Sequence, residues 1–143
     1  MKNLFLLFLS ALLVSSVFAK RAAPIEVPAL AVGDVTISAP HFAQINGVPI
    51  RGGVLEARDS RTKRLIWSVQ VYKTKYDLGL EKDIQDVFIK TLSHDVTHGL
   101  LIMSDERDRV FVVDLKTRKV TPLERSGTTQ KAEAVAPNRS LPG

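Results

Sequence analysis

The feature that most constrains this chain is a succession of short β-rich runs, each closed by polar turn-forming residues. Val54 to Arg58 and Leu65 to Tyr72 alternate, so that Leu55 and Ala57, then Trp67, Val69 and Val71, each share a face. Such strands bury one side and wet the other. Asp86 to Leu92, Leu100 to Met103 and Val110 to Val113 add further runs, the last two apolar on both faces and therefore expected at the centre of a sheet. Asp34 to Ser38 reads as a first strand, and Pro40 to Ile50, with Asn46-Gly47 and Pro49, as a loop. Turn formers fall between the runs at Asp59-Ser60-Arg61, His94-Asp95, Gly99, Asp105 to Asp108 and Asp114. Asp77 to Gln85 is the only helix-compatible stretch, and Gly79 and its length allow one turn at most. The expected fold is all-β, a small antiparallel sheet or sandwich of about six or seven strands. Trp67, Val69, Ile89, Leu101, Val110 and Val112 are its expected core.

The ends of the chain read differently. Residues 1–19 carry Lys2, an apolar run from Leu4 to Val14 thinned by Ser10, and Val17-Phe18-Ala19 before Lys20. This is the pattern of a secretory signal peptide. An uncleaved anchor is the alternative, because Lys20 and Arg21 follow at once, but the run is short of the ~20 apolar residues that a span requires. No stable membrane span is expected after cleavage. Residues 20–32 contain Pro24 and Pro28 and read as an extended lead-in, 33–124 as the β domain, and 125–143 as a disordered tail too poor in large apolar residues to order itself.

Export bounds the function classes. A small exported domain without cysteine is held by its apolar core alone, which fits a bacterial periplasmic protein best. A secreted eukaryotic origin is the other reading, since Lys20-Arg21 could be a processing site and Asn138-Arg139-Ser140 matches a glycosylation sequon. The net charge of +5 comes from basic residues spread through turns, such as Arg58, Arg61, Lys63, Arg64, Arg107, Arg109, Lys116, Arg118 and Lys119. They read as solvated, and together with export they argue against a nucleic-acid partner.

Superposing Asp59 on Asp114 aligns VLEARDSRTKRLIW with RVFVVDLKTRKVTPL, each an apolar strand, Asp, two residues, Thr, two basic residues and a second strand. The Asp carboxylate can accept N–H bonds across such a turn, and the residue after Thr takes a left-handed conformation. With Gly53, Asp59, Thr62 and Trp67 in the first copy and Asp114 and Thr117 in the second, the sequence resembles the blade repeat of quinoprotein-like (PQQ-type) β-propellers. In that repeat Gly, an apolar strand, Asp, a Thr-Gly pair and Trp recur. The second copy has Asp108 in place of Gly53 and Pro122 in place of Trp67, and the Gly after Thr is Lys63 or Arg118. A left-handed non-glycine residue costs about 1 kcal/mol or more, which favours relaxation into another turn type. A propeller needs at least four blades of about 40 to 45 residues, and this chain holds about two. It cannot close a ring alone, so a sheet edge is expected to stay open, with Pro122 on it. The resemblance carries over no cofactor residue, and no cofactor is expected.

Candidate chemistry is sparse. His94-Asp95-Val96-Thr97-His98 supplies two imidazoles and a carboxylate, but residues four apart converge on one metal only on a helix, and this segment lies between strands. His41 is too distant in sequence to be assigned as a third ligand. Asp77, Glu81, Asp83 and Asp86 lack the spacing of a calcium loop and read as a solvated acidic connection partnered by Lys73, Lys75 and Lys82. No nucleophile elbow accompanies the Ser, His and Asp residues. Trp67, with Tyr72 and Tyr76 near it, could floor a carbohydrate or peptide site, but a Trp on an alternating strand face is first a core residue. No catalytic, cofactor-binding or metal-binding residue is therefore assigned. Two function classes remain. The favoured one is an exported, non-enzymatic binding or structural module acting through a sheet face or edge on a protein or envelope component, or on another copy of itself. The other is a small metal-dependent or hydrolytic enzyme using the His94 to His98 loop.

Overall fold

A computed structural model describes residues 21–124; the expected leader, Lys20 and the segment from Arg125 onward lie outside the described residues. The described chain forms 10 strands and one helical turn. In order these are β1 (Leu30–Val32), β2 (Val35–Ser38), β3 (Phe42–Ile45), β4 (Val48–Arg51), β5 (Val54–Asp59), β6 (Leu65–Gln70), α1 (Lys82–Gln85), β7 (Ile89–Asp95), β8 (Leu100–Asp105), β9 (Val110–Asp114) and β10 (Val120–Leu123). Two four-stranded sheets run β1-β2-β5-β6 and β10-β9-β8-β7, and β3 and β4 form a separate hairpin. Every pairing is antiparallel. The all-β antiparallel class read from the alternating runs is the class found.

Three short strands fall where none is expected. β1 lies inside the stretch read as lead-in, and β3 and β4 occupy the stretch read as a loop. Asn46 and Gly47 take φ of 52° and 77°, a two-residue turn whose twist matches that of the strands it joins. Pro49 is tolerated because both strands of a two-stranded ribbon are edges. The hairpin is inserted between β2 and β5, which pair directly with Ser38 opposite Glu56.

Both four-stranded sheets feed one apolar cluster. Ile37, Leu55 and Ala57 enter from the first sheet, Leu101, Met103, Phe111 and Val113 from the second, and Val71 and Tyr72 from the chain just after β6. Each fully buried aliphatic side chain contributes about 1.5–3 kcal/mol. Of the expected core, Ile89 and Leu101 are buried, and Trp67 and Val69 pack half-buried against the cluster. Val110 and Val112 are not core residues. The pairing of Leu101 with Val113 and Met103 with Phe111 turns Phe111 and Val113 inward, leaving the two valines half-buried on the other face. An apolar residue at every position gives the alternation no phase, and a one-residue offset exchanges the faces.

β5 is buried on both faces, because Val54 and Glu56, opposite Leu55 and Ala57, are also covered. Glu56 lines a groove with Phe42, Gln44 and Ile50 of the inserted hairpin, and accepts Arg58 at 2.7 and 3.0 Å. Arg58 is thus tied to the fold, unlike the solvated cation expected. Gly52 and Gly53 return the chain from the hairpin to β5 with φ of 67° and 66°. A Cβ on Gly52 would stand 2.1 Å from the Val87 carbonyl oxygen, and one on Gly53 2.7 Å from both the Tyr72 ring and its carbonyl oxygen. The backbone passes there too closely for any side chain.

Aspartates cap the hairpins. Asp59 Oδ1 accepts the N–H groups of Arg61 and Thr62 at 3.0 and 2.6 Å, and Asp114 Oδ1 those of Lys116 and Thr117 at 2.8 and 2.7 Å. The two aligned turns are equivalent. In each, the residue after Thr stays left-handed, Lys63 at φ 63° and Arg118 at φ 60°, so the turn does not relax to another type. Here the bonds to Asp and the strand pairing outweigh about 1 kcal/mol of backbone strain. The same device recurs at Asp95, which caps Thr97 and His98 before left-handed Gly99, while Asp105 Oδ1 accepts the N–H groups of Arg107 and Arg109 on either side of left-handed Asp108.

Candidate functional site

The three histidines are not brought together. His98 Nδ1 lies 2.8 Å from Asp95 Oδ2, so its ring completes the β7–β8 turn cap. His94 sits on β7, opposite Leu101. His41 is buried beside the inserted hairpin, its ring 4.2 Å from that of Phe88, with its carbonyl accepting Gly52 N–H at 2.8 Å. No group of three or more metal-ligating side chains occurs among the described residues. The Asp95 carboxyl is held below its ordinary value, first by the His98 side chain and then by the His98 N–H. The nearby N–H donors do the same for Asp59 and Asp114, led in both by the backbone of the following Thr.

The acidic connection is solvated only in part: Asp77 and Glu81 are exposed and Asp83 half-buried, but none of its carboxylates forms an ion pair with Lys73, Lys75 or Lys82 among the described residues. Asp86 is buried at 3% exposure, where an unpaired charge would be costly, and its partners are Arg51 at 3.0 Å and the Tyr76 hydroxyl at 2.8 Å. Arg21 adds a bond to the Asp86 carbonyl at 2.9 Å. Burial, then the bond to Asp86, pushes the Tyr76 phenol up to about 12, so it remains a donor. Arg51 is raised in turn, first by its own hydrogen bond to Asp86. No spacing rule links Arg51 to Asp86, because the contact is made only when the inserted hairpin folds back over the β6–α1 connection.

Beside this pair a groove of about 350 Å³ opens between β4 and the β6–α1 connection. Arg51, Gln70, Lys73, Thr74, Tyr76 and Lys82 line it. Lys73 and Lys82 are exposed and make no ion pair among the described residues, and the Thr74 hydroxyl is buried with no hydrogen-bond partner there.

The sheet edges differ in how well they are protected. β1 is a three-residue strand, β7 carries Lys90 and a register shift between Ile89 and Thr91, and β10 carries Pro122. Pro122 does lie on an edge strand, as its chemistry demands, and there it blunts that edge. β6 has neither proline nor charge. Its sequence is LIWSVQ, and Leu65 and Ile66 are 41% and 49% exposed. Trp67 leans inward from the same strand, with the Arg118 guanidinium 5.6 Å from its ring. β6 is the edge that sequence reasoning missed, and its uninterrupted lack of charge was the available signal.

No protein-family model, curated protein or solved structure matches this chain.

Proposed function

We propose that this chain is an exported, non-enzymatic binding module that accepts an extended segment of a partner protein as an added strand along β6. The observation that carries this reading is the uncharged β6 edge with Leu65 and Ile66 exposed beside its unpaired backbone. Charge selects the partner. Lys63 and Arg64 precede the strand and Lys73 and Lys75 follow it, so an antiparallel second copy would place cations against cations. A segment with an apolar centre and acidic flanks meets no such repulsion. Export rests on the leader-like first nineteen residues. The likeness to PQQ-type blade repeats belongs to the same reading, supported by two four-stranded meanders with equivalent Asp turns. Two such units leave edges that a closed ring would cover.

The test uses Trp67, the chain's one tryptophan, as the reporter. A synthetic peptide of alternating valine and threonine flanked by glutamates should shift its emission saturably, and the double substitution Leu65→Lys, Ile66→Lys should abolish the shift. Absence of saturable binding, or binding indifferent to the substitutions, overturns the reading. Sedimentation of a dimer that the same substitutions dissociate would replace the acidic segment with a second copy.

A further inference from the structure

We propose that the groove between β4 and the β6–α1 connection is a binding site for a compact oxyanion, a phosphoryl or carboxylate group. Three cations, Arg51, Lys73 and Lys82, line a cavity of about 350 Å³, enough for one such group and part of what bears it. The carboxylate nearest to Arg51 is already committed. Asp86 is buried, bonded to Arg51 on one side and Tyr76 on the other, and so holds the guanidinium in place without occupying the groove. Only one Arg51 nitrogen is used in that bond, and the side chain stays 48% exposed with further N–H donors free for a planar anion. Lys73 and Lys82 are free of carboxylates among the described residues. The Gln70 amide and the Thr74 hydroxyl add neutral polar groups, the hydroxyl being a buried atom without a partner, which an anion oxygen would supply. Fixed donors around a charge deficit are the physical requirement for oxyanion binding. The groove shares Gln70 and Lys73 with the end of β6 and its cationic flank, but Arg51, Thr74 and Lys82 lie off that strand, and a small anion needs no strand addition, so the two proposals fail separately.

The experiment titrates the chain at low ionic strength with inorganic phosphate and, separately, with citrate, reading amide chemical shifts. Saturable shifts are expected at Arg51, Lys73 and Thr74. The double variant Lys73→Ala, Lys82→Ala should weaken binding about tenfold or more, a loss of about 1.4 kcal/mol. Both side chains are exposed, so the variant keeps its fold. A control, Lys116→Ala, Lys119→Ala, removes equal charge from the β9–β10 turn and should change affinity by less than about twofold. Tighter binding of phosphate assigns a phosphoryl ligand, and tighter binding of citrate a carboxylate ligand. Equal weakening in the two double variants would reduce the effect to net charge and overturn the site, as would failure of both anions to saturate.

Discussion

Four of the five described glycines with positive φ allow the strain of a turn to be separated from the cost of steric overlap. Gly33, Gly47, Gly52 and Gly53 have φ between 59° and 77°, so each Gly→Ala substitution forces a left-handed alanine. That costs about 1–2 kcal/mol, partly offset by about 0.4–1 kcal/mol from the stiffer unfolded chain. At Gly33 and Gly47 a new Cβ meets nothing within 4 Å, so the net loss should be about 1 kcal/mol or less. At Gly52 it would strike the Val87 carbonyl oxygen at 2.1 Å, and at Gly53 the Tyr72 ring and carbonyl at 2.7 Å. Neither neighbour can yield. The Tyr72 hydroxyl is bonded to the Val87 carbonyl at 2.9 Å, and its ring stacks 5.2 Å from Phe111 in the shared core. Overpacking adds about 1–3 kcal/mol or more, giving about 2–4 kcal/mol at Gly52 and Gly53. Urea unfolding of the four single variants, compared at equal slope, measures the difference directly. If Gly52→Ala and Gly53→Ala lose no more than Gly47→Ala, the close passage at the base of the hairpin is not what holds these positions to glycine.

Gly should be more stabilising than Ala by about 0.5–1 kcal/mol at Lys63 and Arg118, the reverse of its effect within a strand, in thermal unfolding of the paired variants. Trp67→Ala should cost about 2 kcal/mol, below the 3–5 kcal/mol of a fully buried ring, and Arg118→Ala about 0.5–1 kcal/mol, with a double-mutant cycle showing that the two residues couple. The capping carboxyls of Asp59, Asp95 and Asp114 are held low in the fold, so their contribution is complete above the ordinary aspartate pKa of about 4 and is lost as pH falls through the lower folded values. Acid titration of the unfolding midpoint should show that loss, and the triple Asp→Asn variant should flatten it.

The alternating runs exposed the strands of the second sheet, β2, β5 and β6 of the first, and the Asp-centred turns, because period-two burial and turn chemistry are local, whereas β1, three residues long, is too short to show a period. Trp67 and Val69 were legible for the same reason. The phase of Val110 to Val113 was not, since nothing in a uniformly apolar run marks its inner face, and pairing with β8 decides it. The inserted hairpin was hidden behind Pro49, although Asn46-Gly47 is a strong turn signal. Pairing of Asp86 with Arg51 was illegible because it joins elements on either side of β5 and β6. The cationic groove follows from that same folding back, which brings Arg51 to Lys73 and Lys82.

The position of the β3–β4 hairpin has a practical corollary. Because Ser38 and Glu56 are cross-strand neighbours, and the Gly52 N–H closes on the His41 carbonyl, the chain departs from the first sheet and rejoins it at almost one point. A detour so anchored can be lengthened at its far tip without transmitting a shift to the ladder beneath. The Asn46-Gly47 corner is therefore the natural splice point for grafting a foreign epitope or a labelling tag, leaving the register of β2 on β5 undisturbed.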